Sequence, residues 1–219
     1  MKPIAVFHSL QHLLYKGLSL FSSKKAAILL GLGSLCLLLA LGLRPWLEAS
    51  MWRHMVLQFP LLLAAGAALA QALVLAMPRA RAGLARWNQH GIAGLVLCAT
   101  VLAVLMVPRV LDLALLRPEV EAAKCSALLL AGAGLALSWR PAGAVLQFFF
   151  LGNLLGMTAI VGLLYIDSPL RLCNAYLQDD QIRLGQWLVG ISSALAVAWL
   201  ARVAWDMTRR EARALGQAR

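Results

Sequence analysis

The stretch AAILLGLGSLCLLLALGL, residues 26–43, carries no charged side chain and is long enough to cross a hydrocarbon layer of about 30 Å as a helix. Five more apolar runs follow, at 52–77, 91–108, 122–139, 145–166 and 184–204. Their apolar residues fill whole helical turns rather than a single stripe, so lipid or another helix must surround them. No segment shows the roughly ten-residue alternation of a membrane-spanning strand. The expected fold is all-α: a polytopic bundle of six transmembrane helices over 24–206, preceded by an amphipathic interfacial helix over 1–23 and followed by a basic tail over 207–219.

Composition agrees. The chain is 62% hydrophobic and 13% charged, about half the charge of a soluble domain, and its mean hydropathy is +0.79. The net charge of +11 reads as the mark of cytoplasmic loops and of affinity for anionic lipid, not for nucleic acid, because no loop is long enough to build a basic stripe. Run 26–43 follows Lys24-Lys25 and lacks a small-residue cleavage pattern, so it reads as a retained span.

The sign of the loop charges alternates. Lys2, Lys16, Lys24 and Lys25 precede the first run, Arg79, Arg81 and Arg86 separate the second and third, and Arg140 separates the fourth and fifth. The other loops mix signs: Arg44, Glu48 and Arg53; Arg109, Asp112, Arg117, Glu119, Glu121 and Lys124; Asp167, Arg171, Asp179, Asp180 and Arg183. This pattern places both termini in the cytoplasm and the acidic loops outside, in a bacterial inner membrane. Trp46, Trp52, Trp87, Trp139, Trp187 and Trp205 fall near the expected span ends, where interfacial tryptophans belong. In the first segment Ile4, Phe7, Leu10, Leu14, Leu18 and Phe21 recur at helical spacing, opposite Ser9, His12 and Lys16, the pattern of a helix lying on the membrane or docking a partner.

The span interiors lack Asp, Glu, Lys and Arg, which argues against an ion pump or a proton-coupled carrier. Their amides are Gln58, Gln71, Gln147 and Asn153, suited to interhelical hydrogen bonds. Pro60 predicts a kink in the second span.

The string MWRHMVLQFPLL, residues 51–62, sets Met51, His54, Met55 and Gln58 on one helix face at i, i+3, i+4 and i+7. Thioether and imidazole together suit Cu(I), so the candidate metal ligands are His54, Met51, Met55 and, from the last outer loop, Cys173. The plainer reading makes the methionines core filler and His54 a hydrogen-bonded helix-end residue. Cys125 and Cys173 read equally as ligands or as a disulfide on an oxidising side. Haem is not expected, because His54 and His90 lie toward opposite membrane faces. His8 and His12 read as part of a solvated face. There is no phosphate loop, HExxH, CxxC or nucleophile elbow, and an enzyme is not expected.

His54-Met55 followed by PLLLAAGAAL resembles the start of a span in the copper-linked CtaG-like proteins, which assist cytochrome c oxidase assembly. The family carries further histidines on that face; this chain has His54 alone. The strings RVLDLALLRPEVEAAK and LYIDSPLRLCNAYLQDDQIRLG have the density of a recognition surface. The resemblance implies copper held by His54 with Met51 or Met55. It also implies contact with respiratory-complex subunits through Asp112 and the Cys173 loop, where Asn174, Asp179 and Asp180 stand. The expected function is an assembly or accessory protein of a respiratory, cytochrome oxidase-type complex. The alternatives are a metal-free structural subunit, or a small-solute permease with Gln71, Gln147 and Asn153 along its path.

Overall fold

The computed structural model describes residues 3–77, 83, 86 and 88–217; side chains are described from Ser23 onward within these, apart from 210 and 214–217. The described residues are helical, without strands, and form seven helices: α1 Pro3–Gly42, α2 Arg44–Leu47, α3 Met51–Ala76, α4 Ile92–Leu105, α5 Pro108–Leu116, α6 Pro118–Asp167 and α7 Gln178–Gln217. Four stretches are long and apolar enough to cross a membrane: Ser23–Gly42, Met51–Ala76, Pro118–Asp167 and Gln178–Arg213. Helices α4 and α5, bent by 78° at their junction, would together make a fifth. The expected interfacial segment and the first span form one continuous helical element. The side chains of its amphipathic face, with His8 and His12, lie outside the described residues, as do Arg79, Arg81 and Trp87.

Three local features shape the bundle. The kink expected at Pro60 takes the form of a π-turn over His54–Gln58. Proline offers no N–H and its ring crowds the carbonyl four residues back, and the wider turn just ahead absorbs both defects. Val107, preceding Pro108, is extended (φ −74°, ψ 120°), as a residue before proline prefers, and this throws α5 across the end of α4. The segment after 108, expected to be a plain loop, is therefore partly helical. Within α6, Pro141 is followed by Gly143 at φ 64°, ψ 175°, a conformation that side-chain-bearing residues rarely adopt.

A straight helix of 50 residues would run about 75 Å. Yet Cys125, near the start of α6, and Tyr165, near its end, both pack into one hydrophobic core with Met51, Met55, Phe59, Leu62, Leu128 and Leu184. The helix therefore doubles back at Gly143. Across the break the Gln147 Nε2 donates to the Trp139 carbonyl at 2.7 Å. Close backbone contacts set the helix directions. The backbones approach so closely at Gly66 and Gly132 that a methyl on either would strike the carbonyl of Leu129 or Leu63, and α3 and the first arm of α6 run parallel because both start where His54 and Gln58 meet Lys124. Gly162 and Gly185 meet in the same way between the second arm and α7, which run antiparallel. The outward faces are apolar, with Leu38, Phe149 and Val197 each more than 60% exposed, as lipid-facing surfaces are.

Candidate functional site: a buried ionic network at one end of the bundle

The end of α1, α2, the starts of α3 and α6, and the 168–177 loop converge at what is here called the polar end. Lys124 lies at its centre, nearly two turns into α6, with its side chain fully buried. Its Nζ donates to three acceptors, His54 Nε2 at 2.6 Å, Gln58 Oε1 at 3.0 Å and Glu48 Oε1 at 3.2 Å, and forms an ion pair with Glu121 Oε2 at 2.7 Å that is not a hydrogen bond. Arg44, 39% exposed, pairs with Glu48 at 2.8 Å and stands 3.7 Å from Glu121. Two cations face two carboxylates, so the group is neutral overall, the condition under which buried charge is tolerated.

The hydrogens can be assigned in order. An ammonium has only hydrogens to give, so His54 Nε2 accepts from Lys124. The ring hydrogen then lies on Nδ1 and is donated to the Tyr176 hydroxyl at 2.8 Å, which donates in turn to the Glu48 carbonyl at 2.9 Å. Gln58 Nε2 closes the group by donating to Glu48 Oε1 and to the Ala40 carbonyl of α1. Burial by itself would raise the Glu48 carboxyl. Lys124, then Arg44 and Gln58, outweigh it and hold Glu48 below its ordinary value.

A second set of bonds fastens the 168–177 loop. Asp112 on α5 accepts from the Cys173 thiol at 2.8 Å and from the backbone N–H groups of Asn174 and Ala175 at 2.9 and 3.0 Å. Asp180, near the start of α7, accepts from Ser50 Oγ at 2.7 Å and from the Met51 N–H at 2.5 Å, capping α3 from a distant part of the chain. Gln181 bridges the Leu172 N–H and the Tyr165 carbonyl, and Tyr165 donates to the Met106 carbonyl.

Met51, His54, Met55 and Gln58 do share a face, but that face turns into the core, and all four are buried. Both nitrogens of His54 are engaged. Burial, then Asp112, pushes the Cys173 thiol up to about 12. Among the described residues no three of His, Cys, Asp or Glu are placed to hold a metal ion. Cys125, which donates to Glu121, and Cys173 are both free thiols. Of the four expected partner-contact residues, Asp112, Asn174 and Asp180 bond within the chain, and Asp179 is exposed. His90 stands exposed at the opposite end of the bundle.

Sequence reasoning treated Arg44, Glu48, Glu121 and Lys124 as loop charges and so missed the centre of the network. The available signal was spacing: Arg44–Glu48 at i,i+4 and Glu121–Lys124 at i,i+3, beside two prolines that start helices. Comparison of the chain with family models, with curated proteins and with solved structures gives no match.

Proposed function

We propose that the chain is a six-span protein of a bacterial inner membrane and acts, without catalysis, as an accessory or assembly subunit of a larger membrane complex. A respiratory oxidase is the class of complex that the CtaG-like resemblance favours. The break at Gly143 supports counting α6 as two spans, and α4 supplies another. An even number of spans returns both termini to the cytoplasm, with the polar end outside, as the loop charges require.

The observation that carries the subunit reading is Asn153. It lies on the second arm of α6, about 15 Å along the helix from Gly143 at about 1.5 Å per residue, close to mid-bilayer. It is exposed, between the exposed Phe149 and Ile160, and among the described residues its amide has no hydrogen-bond partner. A bare amide in hydrocarbon is costly, and a hydrogen bond to a neighbouring helix relieves it by about 0.6–2 kcal/mol. Gly152 and Gly156 beside it leave open space for close approach. At the polar end, by contrast, the two cations of the network are paired with its two carboxylates within the chain.

Asn153→Leu should leave folding intact and abolish recovery of a membrane partner from native membranes. Asn153→Cys should cross-link to that partner. Recovery unaffected by Asn153→Leu, with no cross-link from Asn153→Cys, would sink the reading. Copper has no place in it while Lys124 occupies His54 Nε2; about one copper per purified chain, as a single soft-ligand site would hold, would overturn that exclusion. The subunit reading is preferred to the permease alternative on the placement of the amides: Gln147 is bonded at the Gly143 break, and Gln71 and Asn153 are exposed on separate helices.

A further inference from the structure

Beside the ionic network, a cavity of about 540 Å³ opens to the surface between the α2–α3 elbow and the start of α7. Trp46, Trp52, Arg53, Asp179, Asp180 and Arg183 line it. We propose that it binds the headgroup of a zwitterionic phospholipid, with the phosphate on Arg53 and Arg183 and the amine on Asp179.

The charge left over at the cavity points to this ligand. Asp180 is already satisfied by Ser50 and Met51. Arg53 lies over the Trp46 ring, 4.6 Å from its centroid, which orients the guanidinium without neutralising it. Among the described residues neither Arg53 nor Arg183 forms an ion pair with a carboxylate, and Asp179 forms none with a cation. Two guanidiniums and two carboxylates therefore line a cavity large enough for a small ligand, and of the carboxylates Asp180 is already held by hydrogen bonds to Ser50 and Met51. The planar guanidinium fork matches phosphate oxygens, and the carboxylate suits an ammonium.

The position selects a lipid over a soluble compound. Trp52 stacks on Trp187 with ring centroids 6.1 Å apart, and tryptophans of this kind mark the level of the headgroups. Leu177 lines the cavity and is 71% exposed, an apolar edge for the lipid's glycerol and chains. The proposal rests on the membrane placement above but not on the Asn153 contact.

The test uses the full-length protein in maltoside micelles, with added phosphatidylethanolamine or phosphatidylglycerol counted by native mass spectrometry. Wild type should retain phosphatidylethanolamine in preference to phosphatidylglycerol. Arg53→Ala/Arg183→Ala should lower retention about tenfold or more through the loss of charge-assisted bonds. Asp179→Asn should reverse the headgroup preference while leaving phosphate binding in place. Asp179 and Arg183 are exposed, so Asp179→Asn and Arg183→Ala alone should unfold as wild type; Arg53 is half-buried over Trp46, and Arg53→Lys, which keeps the charge, controls for its packing. Equal retention across the proteins and headgroups would overturn the proposal. So would complete displacement of the lipid by millimolar inorganic phosphate, which would mark a soluble-anion site instead. Asn153→Leu should leave lipid retention untouched, so failure of the partner reading and failure of this one are separable.

Discussion

Around His54, elements from four parts of the chain are joined by ionised and hydrogen-bonding side chains. At the opposite end, among the described residues, the helices meet through backbone contact and neutral side-chain bonds: Asn88 Nδ2 donates to Ser138 Oγ at 2.8 Å beside the close approach of Gly91 to the Ser138 carbonyl, and Gln147 Nε2 donates to the Trp139 carbonyl. The two ends achieve closure by different physics. Backbone contact between small residues needs only the right shape and tolerates sliding. A network of fixed donors and acceptors has one arrangement that satisfies all its members, so it sets the register between α3, α6 and the last loop. The polar end therefore specifies the bundle's arrangement, and the opposite end adds proximity.

The comparison breaks most sharply at Lys124. Lys124→Met removes the cation between two buried carboxylates and should cost about 3–5 kcal/mol, measured by unfolding in mixed micelles. Combining it with Glu121→Gln restores charge balance and should recover part of that loss. An equal loss in both variants would mean that packing, not charge, holds this end. A smaller contrast pits Tyr176→Phe against Ser138→Ala. The first removes the acceptor for His54 and the donor to Glu48 and should cost about 1–3 kcal/mol; the second removes one bond and should cost about 0.5–1.5 kcal/mol. Equal costs would make the two ends alike.

The smallest expected effect is in pH. The folded-state carboxyl of Glu48 titrates below its ordinary value, so its contribution to stability is complete above that value, about 4.3, and fades as the pH falls through the lower folded value. Thermal midpoints should drop on acidification below about pH 4.3. Glu48→Gln should flatten that part of the profile, and no comparable slope should arise from the opposite end.

The apolar runs made the helices legible because hydrocarbon imposes a length and forbids unpaired backbone. The shared face of Met51, His54, Met55 and Gln58 was equally readable from its spacing. The direction in which that face points was not. Periodicity identifies a face, but only the convergence of α6 and the last loop shows that it meets Lys124 rather than an open rim. The network charges were obscured because topology reasoning sorts loop charges by sign, whereas Glu48, Glu121 and Lys124 leave water only when three connections meet. Residues 108–116 hid a helix for the same reason: Arg109 and Asp112 look like loop residues until Asp112 turns inward to hold Asn174 and Ala175.

The Gly143 reversal also bears on how the protein is made. Its two arms are joined by a bend around Pro141–Gly143 with no intervening loop. So short a tether gives one arm no room to wait in water while the other settles in lipid. On the six-span arrangement proposed above, the two enter the bilayer as one hairpin, and a residue that stiffens the bend would be felt first during biosynthesis, before any finished contact is tested.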